Sequence, residues 1–378
     1  MKGGGIMTNA IGMIFGNLNS SALQGLDPNR PIGTVPFGGR YRLLDFALSS
    51  MVNSGIHTVG LITPQQYRPM LDHLGAGRDW SLDRKSGGLF FLPGVIHSLN
   101  HTVHFSLQDI AVNIDFLEKD CAKNIIISSS DQVFNLDFRP VLEEHEQAQA
   151  DITLVYNQSV HPPEGSDRIY LRMNAHKKVT AMSKSKEVAG LQSPWNYFID
   201  ILIIRRELLL QMLRGYGSIG TIELSEVIAH HLDIINVQGY FCGGYVGRIR
   251  SVQDYFLNNM ALLQEEVRRD LFINTRPIRT KIRDNPPTKY GKQAQVKNSL
   301  ISSGCTLEGK VENTILSRGV VIEEGCEVRN CIIMSKCVIG KHSVLENLIM
   351  DKFVEINEGS VLKGQPNKLM VIPKKAVI

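Results

Sequence analysis

LSRGVVIEEGCEVRNCIIMSKCVIGKHSVLENLIMDKFVEINEGSVL, residues 316–362, places an aliphatic side chain at every sixth position. Leu316, Ile322, Val328 and Met334 form one series; after a four-residue slip, Val338, Val344, Met350, Ile356 and Leu362 form a second. Neither an α-helix nor a single strand repeats at that interval. A parallel β-helix does, with one inward aliphatic per face. Gly304, Gly309, Gly319, Gly325, Gly340 and Gly359 punctuate the run. Two series in succession predict such a solenoid over residues 294–378. Cys331 and Cys337, also six apart, are expected at stacked positions with no chemistry.

Upstream the pattern changes. Residues 251–270 have the alternating faces of a helix, and 274–293 hold Pro277, Pro286 and Pro287 among charges, which marks a linker. Residues 1–250 form the other unit. There, β-rich runs at 10–15, 57–63, 124–128, 152–156 and 195–204 alternate with helical stretches near 43–54, 66–74, 106–117 and 141–149, and 169–182 form a hairpin turning near Asn174. Such alternation predicts an α/β fold with a parallel or mostly parallel sheet. Its ligands belong beyond the carboxyl ends of the strands.

Bulk properties exclude several classes. The 378 residues carry a net charge of +4 with no dense Lys/Arg run, which argues against nucleic-acid or membrane-surface binding. No apolar stretch reaches the length of a membrane span. The six cysteines contain no C-x-x-C pair, so reduced thiols in a cytoplasmic protein are expected, and no zinc set is present. His97, His101 and His104 could form a metal face on a helix, but their Ser, Asn and Thr neighbours favour an ordinary loop.

A second stretch is specific enough to suggest a family. Pro36-Phe37-Gly38-Gly39-Arg40-Tyr41-Arg42-Leu43-Leu44-Asp45-Phe46 and the following 48–56 segment, LSSMVNSGI, resemble the signature of ADP-glucose pyrophosphorylases, the glucose-1-phosphate adenylyltransferases. Thr63-Pro64-Gln65-Gln66-Tyr67, Leu71, His73, Leu74 and Trp80 extend the match. The resemblance covers nearly the whole chain. It implies a nucleotidyltransferase, Rossmann-like mixed sheet followed by a left-handed parallel β-helix.

The departures from that family lie where its chemistry is done. Its glycine-rich loop closes backbone N–H groups around a triphosphate, and a loop arginine neutralises developing charge. Here the loop falls on Gly16-Asn17-Leu18-Asn19-Ser20-Ser21-Ala22-Leu23, with one glycine left and Ala22 at the arginine position. Ile32-Gly33-Thr34-Val35 replaces a segment that carries a lysine. Asp131 stands where the family has a Mg²⁺-binding carboxylate, but the second carboxylate position holds Arg248. At an effective dielectric near 20, a unit charge about 4 Å away is worth roughly 4 kcal/mol, so this reversal opposes Mg²⁺. Phe105-Ser106-Leu107-Gln108-Asp109 puts a ring where the family has glycine, and 182–187 (MSKSKE) lacks the sugar-phosphate motif, leaving Lys184 or Lys186 as weak candidates.

Each lost donor to a developing charge costs about 3–4 kcal/mol of barrier, and several together leave no efficient turnover. The resemblance therefore points to a GlgD-type, non-catalytic regulatory subunit. It would need no cofactor and would pair with a catalytic subunit as a heterotetramer that makes ADP-glucose for glycogen synthesis. The alternative is an active sugar-1-phosphate nucleotidyltransferase with an atypical phosphate site, using Mg²⁺. Asp131 either binds a divalent ion still or persists as a strand-end carboxylate, the latter being preferred. Arg248 and Arg250, with Arg40 and Arg42, are candidates for a phosphorylated effector. The first two could equally be a solvated pair, and the last two are better read as ion-pair partners of acidic neighbours. His342 could be an acyltransferase base, but a solvated turn residue is the preferred reading.

Overall fold

The structure is a computed structural model; it describes residues 9–18, 23, 25–26, 30–95, 105–160, 168–184, 193–216 and 222–378. Nine strands make the first sheet. Its order runs Val179–Ser183, Tyr170–Met173, Trp195–Arg205, Asn124–Ser129, Ala10–Phe15, Thr58–Thr63, Gly88–Pro93, and Ile152–Ser159 links Trp195–Arg205 to Val237–Phe241. Ala10–Phe15 is parallel to both neighbours, whereas Trp195–Arg205 runs antiparallel to Asn124–Ser129, so the sheet is mixed. All six residues of Ala10–Phe15 are buried, because both faces are covered. Met13 and Phe15 meet Leu107, Ile110 and Leu209 on one side. Ile14 meets Leu44, Leu48 and Phe138 on the other.

Two expected helices are broken. The 106–117 stretch forms Leu107–Ala111 and Ile114–Glu118, separated at Asn113, whose amide donates at 2.8 Å to both Asp109 O and Pro93 O. An Asn side chain that binds nearby backbone competes with helix propagation. The 251–270 stretch splits into Val252–Ala261 and Glu265–Leu271, and Arg268 Nη1 holds the intervening Leu262 O at 2.7 Å. Gly88–Pro93, Leu224–His230 and Val237–Phe241 are further elements that the sequence pattern does not announce.

After the linker the chain winds into a parallel β-helix. Val321–Ile322, Val338–Ile339 and Glu355–Ile356 stack on one side, and pairings such as Glu327↔Val344 and Val344↔Val361 fix a coil of 17 residues. An earlier coil, Gln295↔Lys310, has 15. The inward stack is Leu316, Ile322, Val328, Ile333, Ile339, Leu345, Met350 and Ile356. Steps of six, six and five therefore replace the uniform six, and the four-residue slip disappears. The uniform period places Met334, Val338 and Val344 inward, one residue out of register with Ile333, Ile339 and Leu345. Met334 instead faces the sheet domain. Cys331 and Cys337 do not stack: they lie on successive sides of one coil, and Cys331 pairs across to Leu348. All six cysteines are free and all but Cys121 are buried.

Each side of the solenoid has its own outward chemistry. Leu300, Ile332, Ile349 and Val371 point away from the coil interior into a core shared with Leu43, Phe46, Tyr255 and Leu262, which joins the two domains. A second side carries Lys297, Glu312, Arg329, Glu346 and Lys363 on successive coils. The following corner repeats Asn298, Asn313, Asn330 and Asn347, all at positive φ (42° to 54°). Asn tolerates that conformation and its amides bond from coil to coil, Asn298 to Asn313 at 2.7 Å and Asn330 to Asn347 at 3.2 Å. Among the described residues, no helix is long and apolar enough to cross a membrane.

Candidate functional site

The parallel strands deliver three chain segments to one edge of the sheet. Gly16 follows Ala10–Phe15, Ser130 and Asp131 follow Asn124–Ser129, and Gly94 follows Gly88–Pro93. Their backbone N–H groups bond across to Ile62 O, Phe15 O and Thr63 O. Gly16 is needed for packing: a Cβ there would lie 2.9 Å from Ile62 O and 2.8 Å from the Met70 side chain. Asn17 Nδ2 donates to Asp109 Oδ2 at 2.7 Å, and Val95 N–H donates to Asp109 Oδ1 at 2.6 Å. Asp109 therefore already uses both oxygens, and burial raises its pKa against those two bonds. Leu18 is buried in the interdomain core. Asn19, Ala22, Lys186 and the His97, His101, His104 set lie outside the described residues.

Asp131 is fully buried and sits in a network of charges. Ser129 Oγ donates to its Oδ1 and Arg250 Nε to its Oδ2. Arg248 Nε lies 4.0 Å from the same Oδ2, and its Nη2 is 3.0 Å from Asp200 Oδ2. Arg250 Nη2 is also 4.0 Å from Asp200 Oδ2. The short ribbon Gly247–Arg248 against Gln132–Val133 fixes this geometry, and Ile249 N–H donates to Asp131 O at 2.8 Å. Two carboxylates thus meet two guanidiniums. A divalent cation needs converging anionic oxygens, and the cations already occupying this centre do not fit it. Among the described residues no group of three His, Cys, Asp or Glu could hold a metal.

Asp200 was missed by the sequence reading. It sits in the Trp195–Arg205 strand at φ +51°, where the register with Ile152–Ser159 shifts. A non-glycine residue in that conformation costs about 1 kcal/mol, which the ion pair to Arg248 offsets. The sole charge in the run 198–204 (FIDILII) was the available signal.

Lys184 also has partners that spacing could not show. Its Nζ lies 2.9 Å from buried Glu223 and 3.5 Å from Glu226. Phe105 packs edge-on against Phe15 with centroids 5.0 Å apart, and its carbonyl accepts Leu224 N–H at 2.8 Å. His342 occupies a β-helix corner at φ +58°, exposed to solvent.

The four arginines grouped as one effector candidate occupy separate places. Arg42 Nη1 donates to Pro69 O at 2.9 Å, while Asp45 accepts the Arg42 backbone N–H. Burial, with Arg283 and Arg30 nearby, pulls the Arg42 pKa down to about 10 despite Asp45. Arg40 lies over the Tyr41 ring and lines a cavity of about 470 Å³ between the domains, with Arg268, Arg283, Arg318, Ser302 and Ser303. Arg248 and Arg250 do not line it. Among the described residues no carboxylate forms a salt bridge with Arg40, Arg268, Arg283 or Arg318. Burial, then the like charges of Arg283 and Arg40, lower the pKa of Arg318. A cavity lined by four arginines suits a small polyanion.

A family model described as nucleotidyl transferase matches residues 22–166, and one for the GlmU-like C-terminal hexapeptide region matches 286–368. The chain is 34% identical to glycogen biosynthesis protein GlgD of Bacillus subtilis (strain 168), over 97% of this chain and 96% of that protein. It is 35% identical to GlgD of Geobacillus stearothermophilus, over 84% and 82%. Glucose-1-phosphate adenylyltransferase of Bacillus cereus (strain Q1) is 29% identical over 94% and 95%.

Proposed function

We propose a regulatory role from one premise: the chain belongs to the glucose-1-phosphate adenylyltransferase family, on its GlgD branch. Its function is in glycogen biosynthesis, as a catalytically impaired subunit that modulates a catalytic paralogue making ADP-glucose. The two form a heterotetramer. The observation that carries this reading is the pair of guanidiniums on Asp131. Adenylyl transfer requires a metal to bridge and neutralise the phosphates, and Arg248, Arg250 and Asp200 turn that centre into a closed set of ion pairs. The β-helix contributes coil ends and strand edges that association would cover. The four-arginine cavity, through Arg40, Arg268, Arg283 and Arg318, is where a phosphorylated effector would bias the assembly.

The test is a pyrophosphate-release assay with ATP, glucose 1-phosphate and Mg²⁺. The chain alone should run on the order of a thousandfold or more below the catalytic paralogue. Added to that paralogue, it should raise turnover or substrate affinity. Full turnover by the isolated chain, abolished by Asp131→Ala, would instead establish it as an active nucleotidyltransferase.

A further inference from the structure

Residues 277–283 lead from the sheet domain toward the β-helix, and they are fastened along their length. Asn53 Nδ2 donates to Pro277 O at 3.0 Å. Arg279 N–H donates to Ser49 Oγ at 2.8 Å, and the same hydroxyl donates back to Arg279 O at 3.4 Å. Arg279 Nη1 donates to Ser81 Oγ at 3.0 Å, Lys281 Nζ to Asp72 O, and Ile282 N–H to Asp79 Oδ1 at 3.4 Å. Ile278 and Thr280, two residues apart, are both buried. A few residues on, Thr288 Oγ1 donates to Ser302 O and Lys289 N–H to Cys305 O, each at 2.8 Å, which ties the chain into the β-helix.

The two ends of this run touch different sites. Ile282 and Arg283 line the cavity at the domain junction. Ser49 belongs to the helix Leu44–Asn53, and two further hydroxyls there hold another segment. Ser50 Oγ accepts Leu136 N–H at 3.2 Å, and Ser54 Oγ, at the helix end, accepts Phe138 N–H at 2.8 Å. Residues 136–138 continue from Gln132–Val133, the strand that pairs with Gly247–Arg248 beside Asp131. Ser49 and Ser50 are fully buried, so breaking either bond leaves a buried polar group unsatisfied.

We propose that residues 277–283 form a strap that couples the junction cavity to the helix Leu44–Asn53, with Ser49 as its clamp. Arg283 shares the cavity with Arg40, Arg268 and Arg318, and an anion among them draws it inward. A strap bonded this closely has little slack. The pull therefore arrives at Ser49 and passes, through Ser50 and Ser54, to the segment that follows Asp131. The regulatory use of this coupling rests on the function proposed above; the coupling itself needs only this chain.

Hydrogen–deuterium exchange on the full chain tests it in two ways. One adds saturating inorganic pyrophosphate; the other uses Arg283→Glu, which sets a carboxylate among the three remaining arginines and needs no ligand. In each, peptides from 277–289 and from 44–53 should exchange about threefold slower, while Tyr170–Met173 and Val237–Phe241 keep wild-type rates. Combined with Ser49→Ala, the slowing should persist in 277–289 and fall by about half or more in 44–53. Undiminished slowing of 44–53 with Ser49→Ala, no response of 44–53 to Arg283→Glu, or slowing spread evenly over the chain would overturn the strap. Should Ser49→Ala not fold, Asn53→Ala removes the more exposed contact; a reduced response of 44–53 supports the proposal and an unchanged one overturns it. No response to pyrophosphate beside a full response to Arg283→Glu would sink the anion reading of the cavity and leave the strap standing.

Discussion

Two clusters of arginine in this molecule reach opposite electrostatic states. At the end of the central sheet, Arg248 and Arg250 are matched by Asp131 and Asp200 in a buried, neutral set. At the domain junction, Arg40, Arg268, Arg283 and Arg318 surround a cavity with no acid in salt-bridge contact among the described residues. Like charges that fold together without partners raise the energy of the folded state unless an anion arrives. The first cluster is complete within one chain. The second lacks an acid in salt-bridge contact among the described residues, which is why an anion is proposed for it. What separates the two sites is less the number of arginines than the acids that face them.

The largest test of this contrast removes one member of the closed set. Arg248→Met leaves Asp131 and Asp200 short of a counter-charge, and should lower unfolding stability by about 3–5 kcal/mol. Adding Asp200→Asn should recover most of the loss, as measured by urea denaturation. If the double were as unstable as the single, the neutral-cluster description would fail. Next in size, Arg318→Glu should weaken binding of inorganic pyrophosphate about thirtyfold by isothermal titration, equivalent to roughly 2 kcal/mol. Arg248→Met should not change that affinity.

How much of this was legible depended on distance along the chain. Arg248 stands out in the sequence because a family-like motif surrounds it. Asp200 was not, because the bulge that turns it toward Arg248 is a tertiary feature of the Trp195–Arg205 strand. Arg268, Arg283 and Arg318 converge on Arg40 from three separate segments, and no spacing rule connects them. In the β-helix the six-residue beat was plain, yet Ile333 and Met334, Val338 and Ile339, Val344 and Leu345 are adjacent aliphatic pairs. One side is a residue shorter than the others, and hydrophobicity alone could not say which member faces in.

Two smaller measurements sharpen the contrast by separating it from background. His145 is buried against Thr153 Oγ1 at 2.8 Å, and burial lowers its pKa to about 4 from an ordinary 6.5. The unfolded chain therefore takes up the proton first, and stability falls as pH drops from about 6.5 through 4, by up to about 3 kcal/mol. His145→Gln should flatten that limb of a pH–denaturation series; a persistent slope would assign it to other groups. Salt gives the smallest effect. Raising ionic strength should stabilise the wild type by less than about 1 kcal/mol by relieving repulsion at the domain junction. Arg283→Gln with Arg318→Gln should abolish most of that gain in thermal melts, while the buried ion pairs stay indifferent to salt.

The outer column Lys297, Glu312, Arg329, Glu346 and Lys363 alternates in sign from coil to coil, with pairs such as Lys297–Glu312 at 3.2 Å. An alternating series has a period of two coils, not one. Excising a single turn of this solenoid would set glutamate beside glutamate or base beside base, which neighbouring strands resist. Excising two would restore the sequence of signs. The ladder therefore gives the domain a parity: lineages that lengthen or shorten it meet less electrostatic resistance in even steps than in odd ones.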